Sequence, residues 1–123
     1  MEYCSFVNVD PETKQERMQH ITPDFPYGAD LCDLHIFPGN TFPWHWHREL
    51  EIFYMRKGSL TYHLPCGAVT FLQGEGGFIN SNILHKTTCT PEADCIQEEQ
   101  QFLPEFVGVN SLLQRKYVQP ILS

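Results

Sequence analysis

Gly39-Asn-Thr-Phe-Pro-Trp-His45-Trp-His47-Arg-Glu-Leu-Glu51-Ile-Phe-Tyr-Met-Arg-Lys-Gly58 is the stretch on which the fold turns. In an extended segment side chains alternate faces, so His45 and His47 project the same way and Trp44 and Trp46 the other. Glu51 has the parity of the histidines, but a straight strand carries its Cα about 13 Å beyond that of His47. Convergence therefore requires a bend, expected at Arg48-Glu49-Leu50, because bulges beside sites re-aim side chains. With His85 downstream, the set His45, His47, Glu51 and His85 has the donor types of a divalent transition-metal site, and imidazole with carboxylate suits Zn, Ni, Fe, Mn or Co. The same residues also suit a hydrogen-bonding effector pocket or satisfied core positions.

Outward from this stretch, short runs rich in aromatic and β-branched residues recur about every ten residues. They are Leu31 to Phe37, Leu50 to Arg56, Ser59 to Leu64, Val69 to Leu72, Gly77 to Ile79, His85 to Cys89 and Cys95 to Phe102. Pro38-Gly39-Asn40, Lys57-Gly58, Pro65-Cys66-Gly67 and Gly74-Glu75-Gly76-Gly77 separate them with residues suited to tight reversals. Seven short strands without a long helix predict an all-β domain that closes to protect its edges. Residues 1–25, broken by Pro11, Pro23 and Pro26, read as an arm with a short helix over Glu12 to His20. Residues 26–104 form the barrel and 105–123 a tail, with a helical segment expected from Ser111 to Tyr117 before Pro120.

The chain has 123 residues, the size of one domain with one core. No apolar run is long enough for a bilayer span and the N-terminus lacks a basic segment followed by an apolar one, so a cytoplasmic protein without membrane contact is expected. Five cysteines at irregular spacing fit reduced thiols. A net charge of −7 with eight scattered Lys and Arg argues against nucleic-acid binding by this chain alone. Glu98 and Glu99 are adjacent and face opposite sides of a strand, which reads as a charged outer edge rather than a catalytic pair. His20, His35 and His63 read as surface or core residues, with His35 a possible pocket-lining residue. Glu49 is expected to face solvent beyond the bend. Trp44 and Trp46 are expected under the arm or in a subunit contact. Phe53 and Met55, which follow Glu51 in parity, are candidates for the apolar wall of the pocket.

The spacing Gly39, His45, His47, Glu51, Gly58 resembles the first motif of the cupin superfamily at every fixed position. Gly74, Asn80, Asn82 and His85 resemble the second, with Asn80 and Asn82 where many cupins have Pro and Gly, and Cys89 in place of the usual Asn. More narrowly, the run Trp44 to Tyr62 together with Gly77-Phe-Ile-Asn-Ser-Asn-Ile-Leu-His85 is similar to the N-terminal sensory domain of AraC-type bacterial transcription regulators, over residues 25 to 122. That resemblance implies a jelly-roll double-stranded β-helix with an arm and a short helical tail, metal ligation by His45, His47, Glu51 and His85, and an effector pocket that takes in Phe53, Met55, Asn80 and Asn82. It also implies a small-molecule effector such as a sugar or other oxygen-rich compound, a homodimer, and DNA contact only through helix-turn-helix units beyond this chain. The chain then reads as a fragment of a longer regulator or as a free-standing relative of its sensory half. With no titratable group evident beside the ligands, a non-enzyme is expected. The rival is a metal-dependent cupin enzyme, a dioxygenase or isomerase acting on an oxygen-rich substrate.

Overall fold

The computed structural model describes residues 3–4, 7–18 and 21–107. Eight strands follow one another: β1 (Tyr27–Asp33), β2 (Thr41–His45), β3 (Leu50–Gly58), β4 (Leu60–Leu64), β5 (Gly67–Phe71), β6 (Gly76–Ile79), β7 (His85–Thr88) and β8 (Cys95–Phe102), then a helical turn α1 (Pro104–Val107). They form two four-stranded sheets, ordered β1-β8-β3-β6 and β2-β7-β4-β5, in which every pairing is antiparallel. This is the jelly-roll layout expected. The helix expected from Ser111 to Tyr117 lies outside the described residues.

Three expectations change. The strand read as Leu31 to Phe37 begins earlier, at Tyr27, and gives way to a 3-10 turn over Leu34–Ile36, initiated by Asp33, whose carboxylate accepts from the His35 amide at 3.0 Å. The stretch from Thr41 to His45, absent from the runs above, is a strand that carries Pro43, with a register shift between Phe42 and His45. Within Glu12 to His20, the described residues form a turn and bridges instead of a helix: the Asp10 carboxylate caps the Glu12 and Thr13 amides, Val9 pairs with Glu16, and Gln15 pairs with Trp46.

β3 shows how the pattern dictates the layer. Glu51, Phe53 and Met55 are buried and Ile52, Tyr54 and Arg56 exposed, the two-residue period of a strand with one wet face. Inward residues of both sheets, among them Phe53, Met55, Ile79 and Cys95 from one and Phe42, Leu60 and Tyr62 from the other, meet in one apolar cluster. Burying each such side chain contributes about 1.5–3 kcal/mol. Gly58 ends β3 with φ 69° and lets the chain cross directly to β4 in the other sheet.

β8 is central, flanked by β1 and β3, so the expected charged outer edge does not exist. Glu98 and Glu99 do face opposite sides. Glu98 approaches Arg56 outside at 3.5 Å, while Glu99 lines an internal cavity. The inward face of β8 reads Cys95, Gln97, Glu99, Gln101, almost wholly polar. Polar groups placed inside cost about 1–3 kcal/mol each unless paired. A barrel selected for stability alone would fill these positions with apolar residues, so their chemistry marks a site.

Candidate ligand-binding and metal centre

The bend expected at Arg48-Glu49-Leu50 falls at Arg48-Glu49, with Leu50 already in β3, and is also the crossing between sheets, since β2 lies in one and β3 in the other. That crossing brings Glu51 back over the histidines. His45 and His85 are direct register partners on β2 and β7. His47 sits just past β2, its carbonyl held by the Asn82 amide at 2.8 Å. One ring nitrogen from each of His45, His47 and His85 lies within 4.8 Å of the others. Glu51 adjoins this triad through His47, its Oε1 3.3 Å from His47 Nε2, without belonging to the 4.8 Å group.

The imidazoles share one orientation for one reason. Each Nδ1 meets a backbone carbonyl two residues away: Pro43 at 2.7 Å, Glu49 at 2.9 Å and Ile83 at 2.7 Å for His45, His47 and His85 respectively. A carbonyl only accepts, so each Nδ1 must carry the proton, and in a neutral ring Nε2 is left as a lone pair aimed inward. His47 Nε2 is buried and faces Glu51 Oε1 at 3.3 Å. Three convergent imidazole nitrogens beside a carboxylate form a donor set that fits a divalent ion, with His47 giving up the proton it holds against Glu51 when the ion binds. Aromatic packing holds the rings: Phe42 meets His45 edge-on at 4.6 Å, and Tyr62 stacks between Phe53 at 4.4 Å and His85 at 5.9 Å. The Tyr62 hydroxyl donates to Glu51 Oε2 at 2.7 Å and accepts from the Gln97 amide at 2.5 Å, while Gln101 donates to Glu51 Oε1 at 3.3 Å.

The electrostatics follow from burial. Burial, with His85 and His47 nearby, pushes His45 down to about 3, and burial also lowers His85. Burial acts against a charged His47 too, but Glu51 and Glu16 outweigh it and lift His47 to about 9. Burial would raise Glu51, yet His47, His85 and the Tyr62 hydroxyl hold it well below the usual carboxylate range. Glu16 is pushed up to about 7 by burial, and Glu99 is raised well above its ordinary value by burial and by neighbouring carboxylates, Glu51 and Asp30 foremost.

Beside this cluster lies a cavity of about 440 Å³. The arm supplies one wall, with Asn8, Glu16 and Met18, and the barrel the others, with Asp30, Phe42, His45, Glu51, Tyr62, His85 and Glu99. The arm is fastened by main-chain bonds from Trp46 to Lys14 and from Glu16 to Trp46, and by the Trp46 indole donating to the Thr13 carbonyl at 2.8 Å. Trp46 thus packs under the arm, as expected, while Trp44 receives the Lys86 ammonium over its ring.

The four effector-pocket candidates fall elsewhere. Phe53 and Met55 belong to the packed cluster, because the interior beside them is filled by Tyr62, Phe71 and Leu60 rather than left open. Asn82 takes φ 65° at the turn before β7, the left-handed conformation that Asn tolerates, and borders an outer groove with Lys14 and Trp46. The Asn80 side chain caps the Ser81 amide. Glu49 is buried rather than solvent-facing, at 7% exposure. His35 bonds the Thr90 carbonyl and Asp33, and His63 bonds Thr88, so neither lines the cavity. His20 lies outside the described residues. Sequence reasoning missed Glu16, Asp30, Glu99 and Gln101. The signal for the last two was the alternation Gln97, Glu99, Gln101, legible only with β8 placed in the sheet interior.

Residues 34–115 match the family model for the AraC-like ligand binding domain. A curated relative, the uncharacterized HTH-type transcriptional regulator YdeC of Bacillus subtilis (strain 168), is 27% identical over 108 residues, covering 88% of this chain and 37% of that protein. The chain therefore spans little more than a third of that relative's length. Among solved structures, the cupin domain of Schizosaccharomyces pombe Cnp3 superposes with a TM-score of 0.59 at 6% identity, over 72% of this chain and 64% of the other. A cupin-2 domain protein from Shewanella frigidimarina gives 0.53 at 23% identity, over 63% and 71%. The polyketide cyclase RemF from Streptomyces resistomycificus gives 0.55 at 20%, over 67% and 60%. At these identities the structures speak to the fold, a cupin barrel, and the family match, which runs from just after β1 through β8, carries the narrower conclusion: the chain belongs to the AraC-like ligand-binding domain family.

Proposed function

We propose that this chain is the effector-binding sensory unit of an AraC-type transcription regulator, and that it holds a divalent transition metal through His45, His47, His85 and Glu51. The observation that carries the proposal is the set of three convergent Nε2 atoms, all oriented by backbone carbonyls, at the edge of a cavity large enough for a small organic molecule. When bound, the ion would offer open coordination positions to oxygen donors of the effector. Asp30, Glu99 and Gln101 on the wall favour a neutral, hydroxyl-rich compound such as a sugar, because carboxyl and amide groups exchange hydrogen bonds with hydroxyl groups. DNA contact and a cytoplasmic setting would belong to the regulator as a whole. Exposed Ile52, Tyr54 and Phe78 on the outer face of one sheet suit a homodimer contact. Effector binding would shift the balance between arrangements of the arm or of that contact, which requires different affinities for the two states.

Thermal unfolding tests the metal reading. A divalent ion at about 100 times its Kd adds about 2.7 kcal/mol to the folded state, which for a domain of this size raises Tm on the order of 10 °C. An unchanged Tm with each of Zn, Ni, Fe, Mn and Co would count against it.

The enzyme reading is kept by one observation: Glu16, near neutrality in its pKa and beside the imidazoles, supplies the titratable group that the sequence seemed to lack. Oxygen uptake or isomerisation by the metal-loaded chain with oxygen-rich substrates would favour that reading; a stable complex without turnover favours the sensor.

A further inference from the structure

We propose that Glu16, carried by the N-terminal arm, is a further ligand at the imidazole cluster, so that one divalent ion fastens the arm to the barrel. The inference rests on the metal reading above and adds to it a residue outside both cupin-like motifs.

The geometry comes first. Glu16 Oε1 lies 3.7 Å from His45 Nε2, and its side chain is only 14% exposed. Two donors on one ion, each about 2.0–2.2 Å from it, stand roughly 3–3.5 Å apart in tetrahedral or octahedral arrangements, so a small shift brings Glu16 into a shared shell. The backbone already directs it there. Gln15 pairs in parallel with Trp46, the residue between His45 and His47, and the Glu16 amide donates to the Trp46 carbonyl at 2.8 Å. The arm thus runs beside the ligand-bearing segment, in the register that puts Glu16 against His45.

Charge points the same way. Among the described residues, Glu16 approaches the His45 imidazole, and no lysine or arginine lies within ion-pair reach of it. Three neutral imidazoles and one carboxylate leave a divalent ion with net positive charge in a buried place. A second carboxylate brings the centre to neutrality, which burial favours.

A Co²⁺ titration of the 123-residue chain, followed by visible absorption, tests the inference, alongside trypsin cleavage at the exposed Lys14 and Arg17. The wild-type chain is expected to take one equivalent. Glu16→Gln keeps that stoichiometry with Kd raised at least tenfold and an altered spectrum. Co²⁺ slows arm cleavage at least tenfold in the wild type and not in Glu16→Gln. Glu16→Asp, which keeps the charge but withdraws it by one methylene, falls between, and Glu12→Gln on the exposed turn behaves as wild type. Wild-type affinity, spectrum and protection in Glu16→Gln would overturn the inference while leaving the metal reading intact. A wild-type chain that takes up no Co²⁺ would overturn the metal reading, and this inference with it.

Discussion

Gly58→Ala is expected to leave the chain largely unfolded at room temperature. Two costs fall on the same atom. The backbone at Gly58 has φ 69°, where a Cβ is strained, and a Cβ built there would stand 1.6 Å from the Asp94 carbonyl oxygen. The obstacle is main chain, so no side-chain rotation relieves it. Either the crossing from β3 to β4 or the segment before β8 must move, and both border the apolar cluster through Leu60 and Cys95. The loss should exceed about 4 kcal/mol, at the far end of the range for point substitutions. Urea denaturation followed by far-ultraviolet circular dichroism measures it. A folded variant within about 1 kcal/mol of wild type would show that the crossing is more pliable than its geometry says.

Glu51→Ala should cost about 3–5 kcal/mol in metal-free protein, the usual consequence of removing one partner of a buried ion pair. The carboxylate faces His47 at 3.3 Å, accepts from Tyr62 at 2.7 Å and takes a Gln101 amide hydrogen, so alanine leaves His47 and the Tyr62 hydroxyl hydrogen without their acceptor, while Gln101 keeps its bond to Glu99 at 3.1 Å. Glu51→Gln retains an acceptor for Tyr62 and relieves the neighbouring carboxylates, and should cost only about 1 kcal/mol by the ordinary worth of a hydrogen bond. The two variants part on stability but agree on metal, since neither offers a carboxylate. Equal unfolding midpoints for the two would mean that the charge, rather than the hydrogen-bond network, holds this end of the barrel.

The strands around the histidine motif were legible because side-chain period and turn chemistry agree there. β3 alternates cleanly between Glu51, Phe53, Met55 and Ile52, Tyr54, Arg56, and Gly58 closes it. The parity of His45, His47 and Glu51 was legible for the same reason, and the need for a bend followed from strand length alone. What periodicity cannot give is which strand sits beside which. β8 read as an edge because its carboxylates looked solvent-facing, yet it lies between β1 and β3, and its inward Glu99 and Gln101 border the cavity. Parity likewise placed Phe53 and Met55 inward, which they are, but not whether the interior at that depth is filled or open. Stacking of Phe53 on Tyr62 fills it. Glu16 was invisible for a related reason. A polar arm has no periodicity of its own, and its conformation comes from main-chain bonds to Trp46, a contact 30 residues away that no local pattern records.

Asn82 shows a smaller lesson of the same kind. Its departure from the usual glycine leaves the turn before His85 intact, because Asn reaches the left-handed region at modest cost. His85 is therefore presented opposite His45 as if the motif were unaltered.

Elemental analysis of the purified chain, with His47→Ala prepared in parallel, tests whether His45, His47, His85 and Glu51 hold a transition metal. Close to one equivalent of a divalent transition metal per chain is expected after exposure to metal-supplemented buffer and removal of the free ion, and less than about a tenth of that in the variant, given the roughly 10–100-fold losses that follow disturbance of even the outer shell of such sites. A wild-type chain that stays metal-free under those conditions, or a variant that binds as much as wild type, would contradict it.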